Sequence, residues 1–213
     1  MIVFSGLDGA GKSTQINVLI DFYQNKRKRV YYFWSRGGYT PGMLLLKALL
    51  RKAGSNIIPE KSGESIERDK IFKNSRIQKA WITLAIIDLI FYYGIWLRYK
   101  CINNIVICDR YLVDTQIDFE RNFSGLDLQR LFLWKLLVRI APKPDLYFLL
   151  MITPKESVKR SILKNEPFPD SLDTLNFRYE KYDSISLQEG KIIRVDCSAE
   201  VDVVAEFIMS RLR

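Results

Sequence analysis

The chain has 213 residues, 48% of them hydrophobic and 27% charged, which is enough to bury one sizeable core without a second domain. Its 33 Lys and Arg outweigh 24 Asp and Glu, and the resulting charge of +9 suits nucleic acid or small, highly charged substrates. There is no histidine, and the three cysteines (Cys101, Cys108, Cys197) form no C-x-x-C motif, which excludes a zinc centre, a histidine-based triad and a full set of disulfides; a reduced, cytoplasmic protein is expected.

The first element is "MIVFS", a β-prone apolar run over 1–5, followed at once by "GLDGAGKST". Gly6, Gly11, Lys12 and Ser13 fill the pattern G-x-x-x-x-G-K-[ST], in which glycines let successive backbone N–H groups turn towards phosphate oxygens. Lys12 is then expected to reach the β- and γ-phosphates of a nucleotide, and the Ser13 hydroxyl to ligate Mg²⁺. The helix expected over 13–25 aims its positive end at the anion, so Gly9, Ala10, Gly11, Lys12, Ser13 and Thr14 form a nucleotide cradle. An ordinary strand-to-helix turn is the alternative for so short a pattern, but Ile16, Leu19, Ile20 and Tyr23 at helical spacing favour the cradle. The N-terminus carries no basic region, so no signal peptide is expected.

"KRKR" at 26–29 reads as a solvated helix end whose cations complement the helix dipole, with no nucleic-acid-binding motif beside it. A strand follows over 30–35, then a helix over 43–52 and a surface excursion over 51–65. The next helix, about 66–100, contains "WITLAIIDLIFYYGIWL" (81–97); the run is short for a membrane span and carries Asp88, so a buried core helix is expected and no membrane contact. The strand "NIVICD" (104–109) ends in Asp109, placed to hold the Mg²⁺, with Arg110 just beyond. A capping Asp109 and a surface-paired Arg110 are the alternative. Helices over 127–140, 154–164, 172–188 and 199–212 alternate with strands over 145–152 and 191–197, and "KNEPFPDS" (164–171) reads as a loop or lid. Apolar strands alternating with helices predict a single α/β domain with a parallel sheet covered on both faces, its ligands at the carboxyl ends of the strands.

"FSGLDGAGKSTQ", "VICDRY", "PDLYFLLMITPKESVKR" and "RVDCSAEVDVV" together resemble the thymidylate kinase family, in the family's order and over most of the chain. The resemblance implies a three-layer P-loop fold with a five-stranded parallel sheet, a homodimer, and transfer of the γ-phosphate of Mg·ATP to a nucleoside monophosphate. It implies that Asp8 approaches the acceptor's sugar hydroxyl and that Asp109 and Arg110 lie near Mg²⁺ and the acceptor phosphate, with Tyr111 beside them. Arg160 matches the arginine that opens the lid (about 155–171), Lys164 falls where lid arginines often lie, and Asp196 to Ser198 lie where the family passes the adenine. No arginine sits inside the P-loop, so Arg160 and Lys164 are expected to act on the transition state.

The departures concentrate at the acceptor. "SRGGYTPG" keeps Arg36 as a substrate-binding candidate but lacks the acidic residue or proline that follows it in the family. In the long helix the family's base-stacking phenylalanine and base-bonding arginine become Ala85 and Leu89 in "AIIDL", leaving Asp88 alone as a candidate. After the DRY triplet, "LVDTQIDF" puts Asp114 and Asp118 four apart on one helical face, suited to hydroxyls or a second cation, or to solvent. Thymidine monophosphate is therefore expected to be a mediocre acceptor. A same-fold kinase for a nucleoside or phosphorylated sugar, and a non-catalytic nucleotide-binding module, are the alternatives.

Overall fold

The computed structural model describes residues 1–35, 40–52, 74–166, 169–188 and 192–212. The five expected strands all form: β1 (Ile2–Gly6), β2 (Val30–Trp34), β3 (Ile105–Asp109), β4 (Leu146–Met151) and β5 (Ile192–Asp196). They make one parallel sheet in the order β2-β3-β1-β4-β5. The central strands are near-continuous apolar runs because both faces are covered: Val3, Phe4, Ile107, Cys108, Phe148 and Leu150 are all removed from solvent. Phe4 stacks on Phe148 across β1 and β4 with ring centroids 5.3 Å apart.

The helices are α1 (Lys12–Asn25), α2 (Pro41–Lys52), α3 (Ser75–Asn103), α4 (Leu112–Asn122), α5 (Phe132–Ile140), α6 (Pro154–Leu163), α7 (Leu172–Gln188) and α8 (Val201–Ser210). The chain packs as two compact units, one of Met1–Ser35, Lys100–Ile117 and Lys143–Arg213, the other of Arg36–Tyr99 and Asp118–Pro142. The first unit contains the whole sheet. In the second, α3 packs on α5, and Trp134 meets Phe119 edge-on.

Three elements differ from the sequence expectation. The helical face expected to carry Asp114 and Asp118 is α4, but no bounds were expected for it, because it buries Asp114, Thr115 and Asp118 and so lacks a clean apolar period. The expected helix over 127–140 breaks at Leu131, where ψ of 122° separates a single 3₁₀ turn, Leu128–Arg130, from α5. The buried core helix becomes a two-faced one: Ile82, Ile86, Leu89, Tyr93 and Leu97 of α3 are buried, while Leu84, Ile87, Phe91, Ile95 and Tyr99 are exposed. Only 33% of its most apolar stretch is buried, and among the described residues α3 alone is long and apolar enough to cross a membrane. Lys26, Arg27, Lys28 and Arg29 are exposed at the end of α1, as a solvated helix end requires.

Candidate active site

The loop between β1 and α1 takes its shape from two glycines. Gly6 has φ of +139°, and a Cβ there would strike the carbonyl of Leu150 on β4. Gly11 has φ of +85° and caps α1 without a side chain, so the first N–H groups of the helix are left for a ligand. Lys12 folds its ammonium back onto the loop, donating to the carbonyls of Gly6 at 3.0 Å and Leu7 at 2.8 Å. Burial, helped by the Arg110 cation, lowers its pKa to about 8, against the opposing pull of Asp8 and Asp109.

Strands β2 and β3 end side by side, with Trp34 in register with Asp109. Asp109 accepts from the Tyr32 hydroxyl at 3.2 Å through Oδ2, while its Oδ1 is buried with no hydrogen-bond partner among the described residues. Burial raises the Asp109 pKa, although Lys12 and Arg110 pull it down. A buried orphan carboxylate oxygen near an exposed serine hydroxyl, Ser13, suits Mg²⁺, which takes one or two protein oxygens and fills its shell with water and phosphate. No cluster of three acidic, cysteine or histidine ligands exists among the described residues, which fits a cation held mainly by substrate.

Arg110 adopts φ of +74°, unusual for a side chain of this size, and its surroundings hold it there. Its N–H donates to the Phe4 carbonyl at 2.8 Å. Its guanidinium bridges Asp8 through Nη2 and Asp114 through Nη1, the latter at 3.2 Å. Arg178 on α7 pairs with Asp170 and lies 4.0 Å from Asp8.

These groups frame a cavity of about 210 Å³. The loop contributes Asp8, Gly9, Gly11, Lys12, Ser13 and Thr14; the strand ends add Trp34, Asp109 and Arg110, and the segment after α6 adds Lys164 and Glu166. Ala10 is buried behind the loop. The structure thus brings together most of the residues singled out from sequence, and adds Trp34 and Glu166. Trp34 was legible as the last residue of a strand ending beside Asp109; Glu166 had no signal beyond its place in the lid.

The other candidates stand elsewhere. Arg160 is engaged at the back of the loop, donating to Gly9 O at 3.3 Å and Cys197 O at 3.1 Å and pairing with Glu156 at 2.9 Å. Ser198 donates its N–H and hydroxyl to Asp196 Oδ1, at 2.9 and 2.7 Å, and these bonds lower the Asp196 pKa. Tyr111 is buried, with its N–H on Asp114 at 2.9 Å. Asp88 accepts from the Thr40 hydroxyl and the Met43 N–H, which caps the first turn of α2. Arg36 lies outside the described residues.

Asp114 corrects the expectation of a carboxylate free for hydroxyls or a second cation. Its Oδ2 takes the Ser5 hydroxyl and the Tyr111 N–H, and its Oδ1 takes Arg110 and the Tyr182 hydroxyl at 2.6 Å, which exhausts its lone pairs.

A protein-family model described as thymidylate kinase matches residues 95–208, just over half of the chain. A thymidylate kinase of Caldicellulosiruptor saccharolyticus is 26% identical over 211 residues, covering 96% of this chain and 91% of its own. Another, from Gloeobacter violaceus, is 26% identical over 215 residues, covering 98% and 92%. The family match takes in the Asp109–Arg110 strand end and reaches into α8, and it leaves out residues 1–94, which carry both the β1–α1 loop and the helix segment with Ala85 and Leu89.

Proposed function

The chain belongs to the thymidylate kinase family, and from that premise we propose that it is an ATP-dependent nucleoside monophosphate kinase whose phosphoryl transfer takes place in the cavity above the β1–α1 loop. One observation carries this reading: three cations from separate elements, Lys12, Arg110 and Lys164, line the same cavity as Ser13 and Asp109. A binding module needs the loop but no cation from the lid segment, and a nucleoside or sugar acceptor is disfavoured by relatives that align along nearly the whole chain.

In this reading the loop N–H groups and the first turn of α1 hold the ATP phosphates, and Lys12 turns from its own carbonyls to the transferring group. Ser13 and Asp109 would hold Mg²⁺, which supplies charge neutralisation at the β- and γ-phosphates when bound. Arg110 orients the acceptor phosphate, and Asp8 and Tyr111 lie on the acceptor side. Lys164 provides positive charge at the reacting phosphate, and Ser198 lies on the adenine side. The exposed face of α3, Leu84, Ile87, Phe91, Ile95 and Tyr99, is the surface we assign to a homodimer rather than to a membrane. Three free thiols fit the cytoplasm.

The test is ADP release coupled to a detection system, run with each nucleoside monophosphate, with nucleosides and with phosphorylated sugars. Turnover dependent on a nucleoside monophosphate supports the reading; ADP release only with a sugar phosphate, or with no acceptor at all, overturns it.

A further inference from the structure

We infer that Asp114 is a positioning residue for the acceptor phosphate: it anchors the Arg110 guanidinium through one nitrogen while the other is lent to Asp8, which keeps the phosphate's place until an acceptor arrives. The inference rests on the kinase reading above, and it assigns a role to a residue for which the resemblance supplies none.

The two carboxylates on Arg110 are not equivalent. Asp114 is 2% exposed and is fixed from four directions, by Ser5, the Tyr111 N–H, Arg110 and Tyr182. Ser5 is itself held by the Tyr147 hydroxyl at 2.7 Å, so the anchor reaches into the sheet. Asp8, by contrast, keeps 27% of its side chain exposed and lines the cavity, with Arg110 and Lys12 as cationic neighbours and Arg178 at 4.0 Å. An anion entering the cavity competes with Asp8 for Arg110 Nη2, and it has no access to Nη1, which points at the buried Asp114.

A guanidinium is a planar fork, and its value in binding phosphate lies in arriving with the plane already set. With Asp114 in place, exchange of Asp8 for phosphate leaves the fork where it was, and the released Asp8 faces the acceptor. Without it, Arg110 Nη1 loses the Asp114 carboxylate and keeps the Tyr182 hydroxyl at 3.4 Å, a longer contact that fixes the plane less well.

The experiment compares steady-state kinetics of the unsubstituted protein with Asp114→Asn, using thymidine monophosphate and uridine monophosphate in turn as acceptors. Loss of a hydrogen-bonded charge on the anchor is expected to raise the acceptor KM about tenfold or more, while the KM for ATP stays within about twofold. A purely structural carboxylate gives the opposite split, a smaller active fraction with an unmoved acceptor KM, and that result overturns the assignment. If Asp114→Asn does not fold, the pair Ser5→Ala and Tyr182→Phe loosens the same carboxylate without removing it. An acceptor KM raised about threefold or more in that double variant supports the anchor, and an unchanged KM overturns it. Failure of the unsubstituted protein to turn over any nucleoside monophosphate sinks the kinase reading instead, so the two failures are distinct.

Discussion

The Lys12 ammonium lies 3.9 Å from the Asp8 carboxylate, yet its hydrogen bonds go to the backbone carbonyls of Gly6 and Leu7. The loop therefore solvates its own lysine with backbone carbonyls, at the cost of burying a cation among amide dipoles. That arrangement has two measurable consequences.

The first concerns pH. The Lys12 pKa falls from 10.5 to about 8 in the folded chain, so the fold disfavours the charged form. Below pH 8 this cost is fully present; between pH 8 and about 10.5 the unfolded chain holds more protons than the folded one, and stability rises with pH. The span corresponds to about 3 kcal/mol. Lys12→Met removes this contribution. Buried Cys108 and Cys197, whose thiols are pushed up, act in the opposite sense above pH 9, so the measurement is the difference in thermal unfolding between the unsubstituted protein and the variant. A difference that does not change from pH 8 to pH 10 contradicts the burial of the cation. The second consequence is catalytic: Lys12→Ala should slow kcat by about 10²-fold or more, as removal of a transition-state donor does. Near-normal turnover would refute the phosphate cradle.

Asp109 should trade stability for activity. Its carboxylate is buried, one oxygen lacks a hydrogen-bond partner among the described residues, and burial raises its pKa, so the folded chain disfavours the charge. Asp109→Asn removes that charge while keeping an oxygen for Tyr32. The melting temperature of the ligand-free protein is expected to rise by about 2–4 °C, while turnover collapses and the Mg²⁺ concentration needed for half-maximal rate climbs. Unchanged Mg²⁺ dependence would remove Asp109 from the metal site.

Arg160 and Lys164 were paired in the sequence as lid cations, and the structure separates them. Arg160 ties Gly9 O to Cys197 O, which joins the phosphate loop to the turn before α8 where the adenine is expected, whereas Lys164 faces the cavity. Arg160→Ala is therefore expected to raise the KM for ATP by about tenfold with a smaller effect on kcat, having lost two hydrogen bonds from a charged donor. Lys164→Ala should do the reverse. A large kcat loss in Arg160→Ala at unchanged KM would restore the transition-state role read from its sequence position.

The sheet was legible because each strand is a short apolar run bounded by turn residues; expected and observed limits differ by one residue at most ends. The loop was legible because glycine spacing encodes backbone shape. The helical face of Asp114 and Asp118 was legible, but the bounds of α4 were hidden for a physical reason: it buries Asp114 against Arg110, Ser5 and Tyr182, and a polar core has no hydrophobic period. The Asp114 network joins residues 5 and 182 to the pair 110 and 114; the pair has i,i+4 spacing, but no spacing rule reaches the other two. Asp88 stands at a recognisable register, and its cap on a neighbouring helix is a contact that the register does not show.

Thymidine monophosphate should be a mediocre acceptor among the nucleoside monophosphates. The family reads thymine with a stacked phenylalanine and an arginine on the base edge, and at those registers this chain has Ala85 and Leu89, which are 1% and 0% exposed. Neither residue presents a ring or a donor to a ligand; both serve the packing of α3. Loss of a stacking partner costs about 1–3 kcal/mol per base, and loss of a hydrogen bond from a charged donor about 1.5–3 kcal/mol. Together these lower the preference for thymine by roughly two to four powers of ten. The Arg110–Asp114 anchor is untouched by these changes, so phosphate binding and turnover should persist while base selection relaxes. The measurement is kcat/KM for thymidine monophosphate against the uridine, cytidine, adenosine and guanosine monophosphates. Similar values across the bases fit a site that grips phosphate and reads little else. A strong preference for the thymine nucleotide would mean that other aromatic groups, with Trp34 at the cavity and Phe91 exposed on α3 as the first to substitute, have taken over the reading of the base.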